Sequence, residues 1–216
     1  MASARPGFFI SVEGIDGSGK STQTRLLAER LLQEGASVRT VHDPGTTALG
    51  ERIRGLLLDK SAGTPPAPFT EVSLFLAARV QLLNEVIEPA LEQGEVIVCD
   101  RYIDSTLVYQ GAGRGLDLEG LLELHRLLGA DRMPDLTLIL DLEVEAARRR
   151  ADATLPLDRM EAEPTAYHER VRQGYLALAS RFPERVVVLS AKPPPKDLAA
   201  ACWRVTSDRM AARRAT

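Results

Sequence analysis

Gly14-Ile15-Asp16-Gly17-Ser18-Gly19-Lys20-Ser21 fits G-x-x-x-x-G-K-[ST] at every fixed position. The chemistry of such an octet is the holding of phosphate. Its glycines let backbone N–H groups curl around phosphate oxygens, and a helix that starts at its end lends a partial positive charge. Lys20 adds a full charge, and the Ser21 hydroxyl is a ligand for Mg²⁺. Gly14, Ile15, Asp16, Gly17, Ser18, Gly19, Lys20, Ser21 and the adjoining Thr22 are the expected nucleotide-holding set. A glycine-rich turn can be mere structure. Here an apolar run, Phe8-Phe9-Ile10-Ser11-Val12, precedes it and a stretch carrying Leu26, Leu27, Leu31 and Leu32 follows, which is the strand–loop–helix context the motif requires.

Other side chains with chemical potential fall after apolar runs. Cys99-Asp100-Arg101-Tyr102 closes one of them. An acidic residue at that place in a phosphate-loop protein is expected to hold the Mg²⁺ shell, so Ser21 and Asp100 are the candidate metal groups. Arg101 then faces the same edge and can grip a phosphate bidentately. Paired surface charges would be the plainer reading of both. Ser105, Thr106, Tyr109 and Gln110 follow at helical spacing, before Gly111-Ala112-Gly113-Arg114-Gly115. Phe75 and Arg79 stand four apart on one helix face, either as core residue and snorkelling arginine or as a slot for a planar base. Arg52 and Arg54 are two apart and point in different directions, so one can face the site while the other is solvated. His42-Asp43-Pro44-Gly45-Thr46-Thr47 reads as a turn with threonine capping the next helix. Arg148-Arg149-Arg150 leads into a Pro-broken stretch as far as Arg159. This is either a solvated charge run or a lid that closes over the triphosphate, excludes water and brings an arginine to the phosphoryl group. Arg209, Arg213 and Arg214 read as a frayed helix end.

The elements that must position these groups are short β-branched runs at 8–13, 37–42, 95–100, 136–141 and 185–190. They are continuous rather than alternating, as parallel strands covered on both faces are. Helical patterns occupy 21–34, about 48–58, 70–92, 117–129, 143–151, 164–182 and 195–213. The alternation predicts a doubly wound α/β fold with ligands beyond the carboxyl ends of the strands. Gly63–Pro68 and Lys192–Pro195 read as stiff surface loops. The 216 residues suit one domain, 1–216, with a small lid at about 148–160.

A net charge of −3 gives no global attraction for nucleic acid or an anionic membrane, so anion binding must come from local arginines. Cys99 and Cys202 match no metal spacing and no disulfide framework, which suits a reducing cytoplasm. No apolar stretch approaches membrane length, and Met1–Pro6 does not read as a signal peptide. The sole asparagine, Asn84, precedes Glu85, so an N-K-x-D guanine motif is missing. Asp117-Leu118-Glu119-Gly120 mimics a switch motif but follows a glycine-rich loop rather than a strand.

GxDGxGKS, xPGxT, FxxxAARVQL, DRYxxSxxxYQGxGR and LDR in a basic loop occur in this order from about Phe9 to Ser190. Together they resemble the thymidylate kinase family. The resemblance implies a P-loop NTPase-type three-layer sandwich with a five-stranded parallel sheet. It also implies a homodimer and an enzyme making dTDP from dTMP with ATP and Mg²⁺. By the same resemblance Phe75 would stack on thymine and Arg79 would bind a thymine carbonyl. Arg54 and Arg101 would hold the acceptor phosphate, and Tyr109 would crowd the sugar 2′ position. Ser105 and Thr106 would lie near the base, Asp16 near the acceptor, and Ala191-Lys192-Pro193 against adenine; Gln110 completes the acceptor set. Three positions depart from the family pattern. Asp43, counted in the substrate-binding set, replaces the glutamate of Glu-Pro-Gly-Gly. Gly17 stands where one subgroup has arginine, which would shift the transition-state arginine to the lid. There Asp152 and Thr154 occupy arginine positions of the other subgroup, leaving Arg150 or Arg159 to substitute. The catalytic set is thus Lys20, Asp16, Arg101, Arg150 and Arg159. Another nucleoside monophosphate or deoxynucleoside kinase, or an impaired P-loop homologue, is the alternative.

Overall fold

The computed structural model describes residues 7–59, 64–151 and 158–214. Met1–Pro6, Gly63 and the centre of the expected lid, with Asp152 and Thr154, lie outside the described residues. Five strands form one parallel sheet: β1 (Phe8–Glu13), β2 (Val38–His42), β3 (Val96–Asp100), β4 (Leu136–Asp141) and β5 (Val186–Ser190), in the order β2-β3-β1-β4-β5. This is the doubly wound arrangement the alternation predicted. β1 in the centre is buried along its whole length. The edge strands differ from expectation. Only Val41 of β2 and Val186 of β5 are fully buried, because an edge strand lacks a neighbour on one side and its faces are covered only in part.

Helices α1 (Lys20–Gln33) and α9 (Pro195–Arg214) pack on each other, α1 over β2 and β3 and α9 over β4 and β5. The predicted 70–92 helix is a longer run in three pieces: α3 (Pro68–Leu82), a π-helical turn (Leu83–Ile87) and α4 (Glu88–Glu92). Pro89 explains the wide turn. It lacks an N–H and its ring would strike the carbonyl four residues back, so the helix loosens just before it. α2 (Ala48–Leu58) lies against α3 and starts at Thr47, whose side chain accepts from Gly50 N at 2.9 Å, the threonine cap that was expected.

After β3 come α5 (Ile103–Thr106) and a second π-helical turn (Leu107–Gly113), packed against α8 (Thr165–Arg181). α6 (Leu118–Leu127) is capped by Asp117, so the switch-like Asp117–Gly120 stretch is a helix start. α7 (Val144–Ala151) follows β4. Arg209 and Arg213 correct the sequence reading, the side chain of Arg214 lying outside the described residues: Arg209 donates to the Glu184 and Pro183 carbonyls, while Arg213 pairs with Asp135 and lies over the Phe8 ring. They fasten α9 to the sheet rather than fray.

Candidate active site

The carboxyl edge of the sheet opens into one cleft of about 1460 Å³ that runs from the loop at Gly17–Ser21 to Phe75 and Arg79. The phosphate-loop end is built by the β1–α1 connection. Gly19, at φ 96°, enters α1 with no side-chain cap, so the first amides of the helix are left to an anion. Lys20 is parked on its own loop, donating to the Ile15 carbonyl at 3.0 Å and to Asp16 Oδ1 at 3.4 Å. Burial and the neighbouring Arg101 lower its pKa, as in a site where cations crowd in wait of phosphate. Gly17 has φ 80°, and a Cβ there would sit 2.1 Å from the Ala147 carbonyl oxygen of α7. No arginine fits at this position while α7 stays where it is, so the departure at Gly17 is matched by the packing around it.

β1 and β3 pair in register with Val12 opposite Asp100, which sets the end of β3 beside the loop. There the Ser21 hydroxyl donates to Asp100 Oδ2 at 2.5 Å. One hydroxyl and one carboxylate fit Mg²⁺, which takes oxygen ligands and is usually held by one or two carboxylates together with substrate phosphates. Among the described residues no group of three or more acidic, histidine or cysteine side chains forms a closed metal cage.

Arg101 adopts φ 66°, a left-handed conformation that is uncommon for a side chain of its size and costs on the order of 1–3 kcal/mol. That backbone turn sends the guanidinium back toward the loop, where it donates to the Gly14 carbonyl at 3.1 Å and pairs with Asp16. It also lies 5.0 Å over the Tyr109 ring, whose hydroxyl donates to Asp16 Oδ2 at 3.3 Å. Burial alone would push the Asp16 carboxyl up. Arg101 and Lys20 outweigh it and hold the group well below the usual carboxylate range. Arg54 reaches the cleft with its guanidinium on the Pro44 carbonyl at 3.0 Å, while Arg52 is exposed, which resolves the two directions left open.

At the far end Phe75 is half-buried, packed on Ile53, Leu57 and Ala78 with another part of it lining the cleft. Arg79 is 1% exposed and is far more engaged than a snorkelling arginine. Nε donates to Asp43 Oδ2 at 2.6 Å, and one terminal nitrogen to Thr106 Oγ1 at 2.9 Å and the Tyr102 carbonyl at 3.2 Å. The other lies 2.6 Å from His125 Nε2. Asp43 is therefore a buried counter-ion to Arg79, its Oδ1 without a hydrogen-bond partner and its pKa raised by desolvation. Ser105 and Gln110 line the cleft with their donors turned inward, Ser105 to Glu13 Oε2 at 2.6 Å and Gln110 to Glu71 Oε1 at 2.8 Å.

The four arginines of the expected lid region separate. Arg148 is tied to Thr165 and the Glu163 carbonyl, and Arg149 is exposed. Arg150 lines the cleft and donates to the Ala191 and Lys192 carbonyls at 2.9 and 3.4 Å. Arg159 is not brought to the cleft: Glu71 Oε2 holds it at 2.6 Å and the Leu57 carbonyl at 2.8 Å. Lys192 is at the cleft rim with its ammonium on Glu143.

Sequence reasoning missed three groups. Glu13 is fully buried and accepts from Ser11, Tyr102 N, Ser105 and Tyr175, four donors that hold the β3–α5 corner against β1. Burial and Asp104 push its carboxyl up. A carboxylate ending a mostly apolar strand was the available signal. Glu71 gathers Gln110, Arg114 and Arg159, and looks like a surface residue in sequence. His125 lies one turn after buried Leu121, on the apolar face of α6, which was its signal.

A family model described as thymidylate kinase matches residues 12–201. The thymidylate kinase of Thermomicrobium roseum is 49% identical over 94% of this chain and 96% of its own length. That of a Synechococcus strain is 47% identical over 94% and 95%, and that of Deinococcus radiodurans 43% identical over 94% and 98%. The crystal structure of thymidylate kinase from Ehrlichia chaffeensis superposes with a TM-score of 0.77 at 32% identity, covering 93% of this chain and all of that one. A sheet in the order β2-β3-β1-β4-β5, a phosphate loop on β1 and relatives of this closeness place the chain in one group: it belongs to the thymidylate kinase family.

Proposed function

We propose that this chain transfers the γ-phosphoryl group of ATP to the phosphate of dTMP, giving dTDP on the way to dTTP. The observation that carries the reading is the single cleft with a phosphate loop at one end and a half-exposed Phe75 beside Arg79 at the other. Arg101 and Asp16 lie between them. Two nucleotides laid end to end would bring their phosphates together over Arg101.

The transfer is direct and in-line, with no covalent enzyme intermediate. Little bond chemistry falls to the protein, which positions two anions and neutralises charge. Lys20 and the loop amides hold the donor β,γ-phosphates, and Lys20 leaves the Ile15 carbonyl to do so. Arg54 and Arg101 align the acceptor phosphate, with Asp16 orienting Arg101. The acceptor oxygen needs no strong general base, because a phosphate monoester with a second pKa near 6 is already anionic at neutral pH. Ser21 and Asp100 would hold Mg²⁺, which would supply charge neutralisation for the transfer. Arg150 is the lid arginine best placed to meet the triphosphate, and the rim at Ala191–Pro193 is placed for adenine. Phe75 stacks on thymine, and Tyr109 stands beside the deoxyribose. We further assign the chain to the cytoplasm, supported by its two free buried cysteines, and to a homodimer, supported by the exposed Phe69, Leu127 and Leu128 on α3 and around the end of α6.

A coupled assay of ATP consumption against a panel of monophosphates tests the reading. Activity is expected with dTMP, less with dUMP, and negligible with AMP or CMP. Lys20→Ala should lower kcat by about 10²–10³-fold or more while dTMP affinity stays nearly unchanged. A different preferred monophosphate, or near-normal turnover without Lys20, would overturn it.

A further inference from the structure

The partners of Arg79 account for four of its five N–H groups among the described residues. Nε is taken by Asp43, and both hydrogens of one terminal nitrogen by Tyr102 O and Thr106. On the other terminal nitrogen, His125 takes one hydrogen. The hydrogen left over is therefore on the nitrogen that His125 grips, in a guanidinium plane that these four contacts fix, on a residue that lines the cleft.

The tautomer of His125 follows from its partners. Nδ1 lies 2.6 Å from the Leu121 carbonyl, which can only accept, so Nδ1 carries the proton. Nε2 then has a free lone pair, and Arg79, which can only donate, supplies the hydrogen 2.6 Å away. Three features make this a built arrangement. His125 is 0% exposed, its imidazole is anchored one turn back on its own helix, and the Arg79 guanidinium lies 5.2 Å over the Tyr102 ring. Burial first, and then Arg79, lower the His125 pKa to about 3, so the ring that accepts this bond is neutral at physiological pH.

We propose that His125 is a positioning residue for acceptor-base choice: as a neutral hydrogen-bond acceptor it aims the last free N–H of Arg79 at the base that enters the cleft. The inference rests on the reading above, in which Arg79 meets the acceptor base. A fixed donor suits a base with a ring carbonyl and opposes one with an amino group at that place, whose own N–H would face it. A loose guanidinium can turn and discriminate less.

Three variants and one spectrum test this. The readout is the ratio of kcat/KM for dTMP to that for dCMP, with KM for ATP recorded alongside. His125→Leu removes the acceptor, and the ratio should fall by about tenfold or more, with KM rising for dTMP and not for ATP. His125→Gln can set its side-chain oxygen near the place of Nε2 and should recover most of the ratio. Arg79→Lys keeps a cation for Asp43 but loses the fork, and should also lose the ratio. General structural damage would instead lower both substrates together and leave the ratio in place. If Arg79→Lys abolishes selectivity while His125→Leu keeps it, the role of His125 is overturned and the base reading survives. If Arg79→Lys keeps the selectivity, both fall. Independently of any variant's folding, imidazole nitrogen NMR of the wild-type protein at pH 7 should show His125 neutral with its proton on Nδ1. An imidazolium or the Nε2–H form overturns the proposal.

Discussion

Single residues in this molecule do two jobs, and Arg79 is the plainest case. It lines the cleft, yet its guanidinium also neutralises Asp43 in a place where both side chains are essentially out of water. Removing one member of a buried pair leaves the other charged and unsolvated. Arg79→Ala is accordingly expected to cost about 3–5 kcal/mol of stability in urea unfolding, besides any loss of dTMP binding. A loss below about 1 kcal/mol would mean that Asp43 is protonated or hydrated in the native protein. The spacing of Phe75 and Arg79 was legible in sequence because i, i+4 neighbours share a helix face. The partners of Arg79 were not, since Asp43, the Tyr102–Thr106 stretch and His125 come from three separate segments and only the fold makes them neighbours. Arg159 illustrates the same limit: its basic context suggested a lid arginine, whereas Glu71, far away in sequence, holds it outside the cleft.

Among the elements, strand ends and the phosphate loop were readable and the helix irregularities were not. Apolar β-branched runs mark strands wherever the sheet is covered on both sides, and the polar residues that end them mark its active edge. The wide turn before Pro89 and the one over Leu107–Gly113 depend on packing that sequence periodicity does not report. The contact between the loop and α7 belongs to this scale as well. Gly17 gives up its side chain so that the Ala147 carbonyl can come close. Gly17→Ala should force α7 away from the loop, lowering stability by about 1–3 kcal/mol and turnover by more than that loss of folded protein explains. Thermal melts beside kcat measurements check this. Unchanged values would show that α7 yields freely.

For the whole molecule, burial of neutral histidine sets an acid limit. His125 has its pKa lowered to about 3 from 6.5, so the unfolded chain takes up a proton across that window while the folded chain does not. A depressed pKa in the fold contributes stability that is fully present above about 6.5 and is lost as pH falls toward 3. The slope approaches about 1.4 kcal/mol per pH unit for one proton, and His168, lowered in the same direction by burial, adds to it. Urea unfolding at pH 7, 5.5 and 4.5 should show the decline, and His125→Gln should flatten it by about one proton. Parallel curves for the two proteins would count against a neutral buried imidazole. The charge of the whole chain also gives the Asp16–Arg101–Lys20 cluster a further meaning. The net charge is −3, and Asp16 faces both cations. Asp16 is in effect a tethered counter-ion, occupying the place of the anion that solution would otherwise supply. A nucleotide approaching this cleft meets little long-range pull. A phosphate entering it would have to compete at short range with a carboxylate that cannot diffuse away.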